Sequence, residues 1–521
     1  MPEILTQKKA TTMSKLAEVA FESKLFEMGP TSDFSNLLDQ CREVLEFAPE
    51  IAAWIELDQI RYGIEKKANR LEDSRYIESL CEPLPGFCSA YPERPDTEKL
   101  VLLQGRPRMD PRLVYYLMMI QGYLGSLTAA KHYGFLIEST TFAALLYFHG
   151  WKLPSRTAIN DNLNKVSVEV HERILEVQTK YIMEEGLDDF RELTVDSTSV
   201  RANSKWPTDS GIITDLLQRC FQISQRLEKF GVLNFRPGWG PRWVEELKQL
   251  NFQINVNSKR KRRHMKRLYK RLLDKAEKFC AHFLREFQRW NMLVDLSRFM
   301  PTRRKQIETA VLLILEKVDD VQRTIANARD RLFGNVYIPA SEKVLSTCDP
   351  DAAYIQKGGR DPVVGYKPQV VRSRQGFIPY LCVPQGNAAD SKQAEHVVER
   401  VIKSTGVIPH LLSFDDGYAA KKVREALLQM GIEDVSISGS KGKRIIPEED
   451  WDSETHREAR RNRSAVESLM SVLKGYLRFG QMSVRGLDKA HRSMLQIALA
   501  YNMLRCIQRK EEIQKLKAQA A

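Results

Sequence analysis

Cysteines are few in this 521-residue chain, and they stand apart. The eight are scattered singly, and the nearest pair, Cys81 and Cys88, has neither CxxC spacing nor a histidine beside it. That pattern argues against zinc fingers and a disulfide scaffold, and it suits a reducing compartment. Long hydrophobic runs are missing too. The opening MPEILTQKKATTMSKLAEVAFESK has no apolar core of the kind a secretory signal carries. The longest apolar stretch, LVYYLMMIQGYLGSL over 113–127, is too short and too interrupted for a bilayer span. A cytoplasmic protein with no membrane partner is therefore expected. No internal repeat and no low-complexity tract stands out.

Positive charge is what the chain has in excess. Lys and Arg number 80 against 67 Asp and Glu, a net charge of +13. Such a balance favours a polyanionic partner, nucleic acid first. With 43% hydrophobic and 28% charged residues the composition is that of an ordinary globular protein. The length suggests about three domains.

The chain divides by pattern. Residues 1–100 read as a helical or irregular region ending in the proline-rich CEPLPGFCSAYPERPDTEK. Residues 101–185 read as a compact helical domain, with apolar residues at helical spacing in PRLVYYLMMIQGYLGSLTAAKHYGF. Its last unit, WKLPSRTAINDNLNK, has Ser155 as a helix N-cap after Pro154. The helix it starts carries Arg156, Asn160 and Asn162, which suggests a helix-turn-helix-like unit with a polar first turn toward DNA. An ordinary helical bundle whose capped helix touches nothing fits equally well.

LTVDSTSV alternates and is rich in β-branched residues, so Asp196 falls on a strand. Residues 214–340 return to helix and contain KRKRRHMKRLYKR over 259–271, which has no acid. A block this basic repels itself unless an anion lies along it, which makes Arg260, Arg263, Lys266 and Arg267 candidate DNA-phosphate ligands. A solvated helix face or a tail-like segment is the alternative. Over 341–515 short strands alternate with helices: PVVGYKPQVVRS, GFIPYLCVPQG, HLLSFDDGY and DVSISGSKGK read as strands. A helical segment over 454–515 follows.

Three acids hold suggestive places. Asp196 is on an early strand, Asp415 ends HLLSFD, and Glu467 stands alone in RRNRSAVESLMSVLKG. Converging carboxylates are poor neighbours unless a divalent cation neutralises them, and hard oxygen donors suit Mg²⁺ or Mn²⁺. Two such ions can activate a water or a 3′-hydroxyl and stabilise the leaving oxygen. On the helix, Arg463 lies four residues before Glu467 and Lys474 seven after, with Arg460 seven before, so all four share one stripe. The acid would hold an ion while the cations hold phosphate oxygens. An i,i+4 surface ion pair would explain Arg463 but leaves the two strand acids unexplained.

Taken together, TVDSTSVRANSKWPTDSG, VVGYKPQVVRSRQGFIPYLCVPQGNAADSKQ, LLSFDDGYAAKKVREALLQMGIEDVSISGSKGK and RNRSAVESLMSVLKG resemble a DDE transposase of the bacterial insertion-sequence type. The last stretch resembles that group's Y-x2-R-x3-E-x6-K signature. The resemblance implies an α+β fold with a ribonuclease H-like mixed sheet over 186–213 and 341–515. A large basic helical insertion at 214–340 would interrupt that core, and an all-helical region would precede it. It implies Asp196, Asp415 and Glu467 as the catalytic, metal-binding triad with Mg²⁺ or Mn²⁺, two ions in all. It further implies cleavage at transposon ends and strand transfer, terminal inverted repeats and target DNA as partners, a homodimer on DNA, and a nucleoid-associated enzyme. A metal-dependent nuclease without strand transfer and an inactive transposase-derived DNA-binding protein are the alternatives. The sequence departs from the pattern at Arg460, where the signature has tyrosine, and in doubling the second acid, so that Asp416 stands as an alternative to Asp415.

Overall fold

The computed structural model describes residues 33–71, 108–232, 239–259, 262–293, 301–357 and 361–520, with Leu296 and Phe299 between. The proline-rich stretch before residue 100 and the basic residues Arg260 and Lys261 lie outside the described residues. The fold is mixed α and β, and the chain forms two compact units that divide at Asn203/Ser204 and Gln356/Lys357.

The first unit begins with helices α1 (Asp33–Phe47) and α2 (Glu50–Leu71). Next come α3 (Pro111–Leu124), α4 (Ala129–Glu138), α5 (Thr140–Phe148), α6 (Arg156–Leu163) and α7 (Val168–Glu184). Asp110 caps α3, accepting from Arg112 N at 2.8 Å, and proline occupies its first position. Ser155 caps α6, its Oγ accepting from Ala158 N at 3.3 Å. Strands β1 (Glu192–Ser197) and β2 (Val200–Arg201) follow.

The second unit is helical. It contains α8 (Asp209–Lys229), α9 (Trp239–Val256), α10 (Arg262–Leu293), α11 (Pro301–Arg329) and a short strand β3 (Ala353–Ile355). Its core draws on α8 (Leu216, Leu217), α9 (Leu247), α10 (Leu272, Ala276) and α11 (Ile314, Val321). Phe279, Phe283 and Phe287 stack at four-residue intervals along α10, with ring centroids 5.8 and 5.3 Å apart. This apolar stripe explains how so basic a sequence is helical. Leu268, Leu272 and Leu273 turn inward, while Arg263, Arg267, Lys270 and Arg271 stay exposed.

The chain then returns to the first unit with β4 (Val363–Tyr366), β5 (Gln369–Ser373), β6 (Tyr380–Cys382), α12 (Asp390–Thr405), β7 (Leu411–Phe414), α13 (Lys421–Gln429) and β8 (Asp434–Ile437). Short helices α14 (Gly442–Ile445) and α15 (Glu448–Trp451) lead to α16 (Glu454–Gly475) and α17 (Leu487–Ala520). A five-stranded sheet has the order β6-β5-β1-β7-β8. β6, β5 and β1 pair antiparallel, and β1, β7 and β8 pair parallel. β2 pairs antiparallel with β4.

The 454–515 segment, read as one helical stretch, is two helices with a loop between them. α17 ties the helices to the sheet. It packs on α1, α3, α7 and β6. At its crossing with α3 the backbones nearly touch: a Cβ on Gly122 would lie 1.9 Å from Gln496 O, so the crossing requires glycine. Further along, buried Asn502 accepts from Ile378 N and donates to Ile378 O, each at 2.9 Å, and so satisfies the backbone just before β6. No single helix among the described residues is long and apolar enough to cross a membrane.

Candidate active site

Parallel pairing sets the first two acids side by side. Thr194 of β1 lies opposite Ser413 of β7. Asp196 and Asp415 each come two residues later, so the register brings them level at the carboxyl edge of the sheet, where open α/β sheets hold ligands. Asp415 also caps the single turn Asp416–Tyr418, its Oδ1 accepting from Gly417 N at 2.9 Å. Asp416 is one step out of register and differently engaged. Its Oδ1 accepts from the amides of Lys441 and Gly442 at 2.8 and 3.1 Å, which fastens the loop after β8. Gly439 in that loop has φ 102°, and a Cβ there would lie 2.6 Å from Asp416 Cγ, so glycine is needed on two counts.

Helix α16 supplies the third acid. Ser453 caps it, accepting from His456 N at 3.1 Å, and the helix packs across β1, β7 and β8. Its buried stripe runs through Ala459, Val466, Leu469, Met470 and Leu473. Arg463 falls within that stripe, with its side chain 27% exposed, and Glu467 stands at the flank, 73% exposed. Their charged atoms are 3.9 Å apart. An open cleft of about 940 Å³ is lined by Asp196, Asp415, Asp416, Glu467, Arg463, Lys474 and Lys357.

The charges in this cleft are not balanced by water alone. Burial pushes the Asp196 carboxyl above the usual aspartate range. Asp415 adds to the rise, while Lys357, the Ser197 amide and Arg463 oppose it. The Ser197 amide donates to Asp196 Oδ1 at 2.7 Å, and Lys357 Nζ is 3.9 Å from the same oxygen.

Beneath Asp196 lies a buried polar group. Asp390, in the first turn of α12, pairs with Lys367 Nζ at 2.9 Å and accepts from Gln369 Nε2 at 3.0 Å. Tyr418 donates to Gln369 Oε1. Burial alone would raise the Asp390 carboxyl, but hydrogen bonds from Gln369, Ser197 and Lys367 hold it below its ordinary value.

The expected triad therefore meets in one cleft but does not close. Among the described residues no three His, Cys, Asp or Glu side chains come together tightly enough to hold a metal ion. Like charges repel, and the acids lean on separate cations, Asp196 toward Lys357 and Glu467 toward Arg463. As a donor set, Asp196 and Asp415 fit a hard divalent cation: two oxygen ligands level on adjacent strands, one of them destabilised as an anion by burial and by the other. Glu467 lines the same cleft from the rim, turned toward Arg463.

Other anticipated residues sit elsewhere. Arg460 does not line the cleft: its guanidinium lies 4.3 Å over the Trp451 ring and donates to Trp451 O at 3.1 Å. Arg156 and Asn160 are exposed on α6, whereas Asn162 turns inward and donates to Ala158 O at 2.8 Å. In the second unit Arg263 and Arg267 are exposed, and Lys266 lies 5.6 Å from the Phe333 ring centroid. Sequence pattern does not single out Lys357, Lys367 or the acid Asp390. The one signal for Asp390 is its place in the Gly-Asn-x-x-Asp turn that opens α12.

Parallel strands with two level acids, faced by a helix carrying a third, gather carboxylates and cations in one cleft. Residues 341–503, which contain Asp415 and Glu467, match the family described as Transposase DDE domain. That segment is similar to a transposase DDE domain, which supports reading the protein as a DDE transposase. No curated protein and no solved structure matches the chain.

Proposed function

We propose that the protein is a transposase that cleaves DNA phosphodiester bonds at transposon ends and joins the freed 3′-hydroxyl to target DNA. The observation that carries this reading is the level placement of Asp196 and Asp415, each two residues beyond the Thr194–Ser413 pair, in a cleft that Glu467, Arg463 and Lys474 also line. The strand order β6-β5-β1-β7-β8, antiparallel on one side of β1 and parallel on the other, supports a ribonuclease H-like core.

Asp196 and Asp415 would hold Mg²⁺ or Mn²⁺ between them, and Glu467 would complete the shell by turning from Arg463 toward the strands. Once bound, such ions lower the pKa of a coordinated water or hydroxyl and stabilise the departing oxygen. The protein's own share is positioning. Asp415 is fixed by the Gly417 amide, Asp196 by the Ser197 amide, and both by the ladder between β1 and β7. Released from Glu467, Arg463 can offer its planar fork to non-bridging phosphate oxygens, and Lys474 adds a point charge. The exposed cations of α10 and the first turn of α6 supply further phosphate ligands, and two protomers would hold two DNA ends.

Strand transfer separates this reading from a simple nuclease. Incubating the protein with Mg²⁺, a labelled duplex bearing the element's terminal repeat with a free 3′-hydroxyl, and a supercoiled plasmid should give labelled plasmid. Nicked duplex without joined product would leave a nuclease, and DNA binding without either product would leave a binding protein.

A further inference from the structure

Lys357 is paired with Asp196 in the cleft, and nothing in the sequence pattern marks it. It opens the return of the chain to the first unit, at a point where no motif lies. Its ammonium donates to Ser197 O and, at 2.5 Å, to Ser197 Oγ. It stands 3.9 Å from Asp196 Oδ1, and its side chain is 26% exposed within the cleft. Ser197 in turn bonds Asp390, itself paired with Lys367, so the lysine is anchored to the buried polar group beneath β1. Arg463 approaches Asp196 from α16, and Asp415 from β7.

The arrangement is that of a resident countercharge. Asp196 is partly buried beside a second carboxylate, and a nearby positive charge offsets the repulsion between the two. Lys357 supplies it without a formal hydrogen bond to the carboxylate, because 3.9 Å is too long for one. A divalent cation on the same carboxylate would repel the ammonium. Lysine carries a point charge on a flexible stem, so it can swing away while the strand stays in place.

We propose that Lys357 holds the Asp196–Asp415 pair in charge balance before metal loading, gives way to the metal, and then binds a phosphate oxygen of the DNA strand in the cleft. This rests on the reading of Asp196 and Asp415 as metal ligands. Lys357 is thus both a brake on metal binding and a substrate ligand, and the two roles have opposite signs on substitution.

The test uses the full chain with Lys357→Met and Lys357→Gln, the second retaining an amide donor for Ser197. Mn²⁺ binding is followed by titration with the metal alone. DNA binding is followed in Ca²⁺ as a function of salt. Both variants should bind Mn²⁺ about fivefold or more tightly than the wild type, since a competing charge about 4 Å away has gone. Their DNA binding should weaken, with a log–log salt slope shallower by about 0.9, as expected when one phosphate is no longer neutralised. A merely structural lysine would give weaker or unchanged Mn²⁺ binding in Lys357→Gln, and that result overturns the proposal. Asp196→Asn serves as the control. If it binds Mn²⁺ like the wild type, the ligand assignment itself fails, whatever Lys357 does.

Discussion

Replacing Asp416 with alanine separates the two acids of the Asp-Asp-Gly-Tyr stretch. The Asp416 carboxylate accepts two backbone bonds, from Lys441 and Gly442 at 2.8 and 3.1 Å. Hydrogen bonds to a charged group are each worth about 1.5–3 kcal/mol net. The amides share one oxygen, so the pair is worth about 2–4 kcal/mol rather than the full sum. Asp416→Ala should lower the stability of the first unit by that amount. Asp416→Asn keeps a carbonyl acceptor at the same place and should lose less than half as much. Asp415 accepts one backbone bond, from Gly417, so Asp415→Asn should be nearly neutral for stability. The activities should run the other way: Asp415→Asn inactive, Asp416→Asn close to wild type. Urea denaturation and a nicking assay on the same preparations measure both quantities. An inactive but fully stable Asp416→Asn, beside an active Asp415→Asn, would refute the register argument.

Other consequences follow from the same charges. Burial raises the folded Asp196 carboxyl above its ordinary 3.8, so the folded protein holds that proton more tightly than the unfolded chain does. Its favourable contribution is complete below that value and is lost as pH rises through the folded pKa, leaving a penalty at neutral pH. Asp196→Asn should therefore stabilise the metal-free protein at pH 8 by about 0.5–2 kcal/mol, as relief of a strained site does elsewhere. The gain should shrink toward pH 4, and a less stable variant at pH 8 would contradict the burial argument. On α10, exchanging Arg263, Arg267 and Arg271 for glutamine should leave stability within about 0.5 kcal/mol, because all three are exposed. The salt dependence of duplex binding should flatten by about 0.9 for each phosphate that these arginines neutralise, and an unchanged slope would assign them to a solvated face.

Much of the sheet-bearing part was legible because its signals are local. HLLSFDDGY and DVSISGSKGK read as strands from β-branched and apolar runs bounded by glycine, and β7 and β8 lie within them. Ser155 was legible as a cap because capping depends on three residues of context. What could not be read depends on distant partners. Helical spacing put Arg460 on the stripe of Glu467, but Trp451 from the preceding helix captures its guanidinium. Asn162 belonged to a polar helix, yet it is buried against the rest of the unit. Lys357 reaches Ser197 across 160 residues of chain, and no periodicity encodes such a pairing. The strand acids followed from the sequence. Their level register follows only from the parallel pairing of β1 with β7.

We propose that Asp196, Asp415 and Glu467 form one metal-dependent cutting site. The most direct measurement is Mg²⁺-dependent nicking of a duplex by the wild type, Asp196→Asn, Asp415→Asn and Glu467→Gln, with DNA binding measured in parallel. Nicking is expected of the wild type alone, none without a divalent cation, and undiminished DNA binding of all three variants. Normal nicking by any one of the three would contradict it.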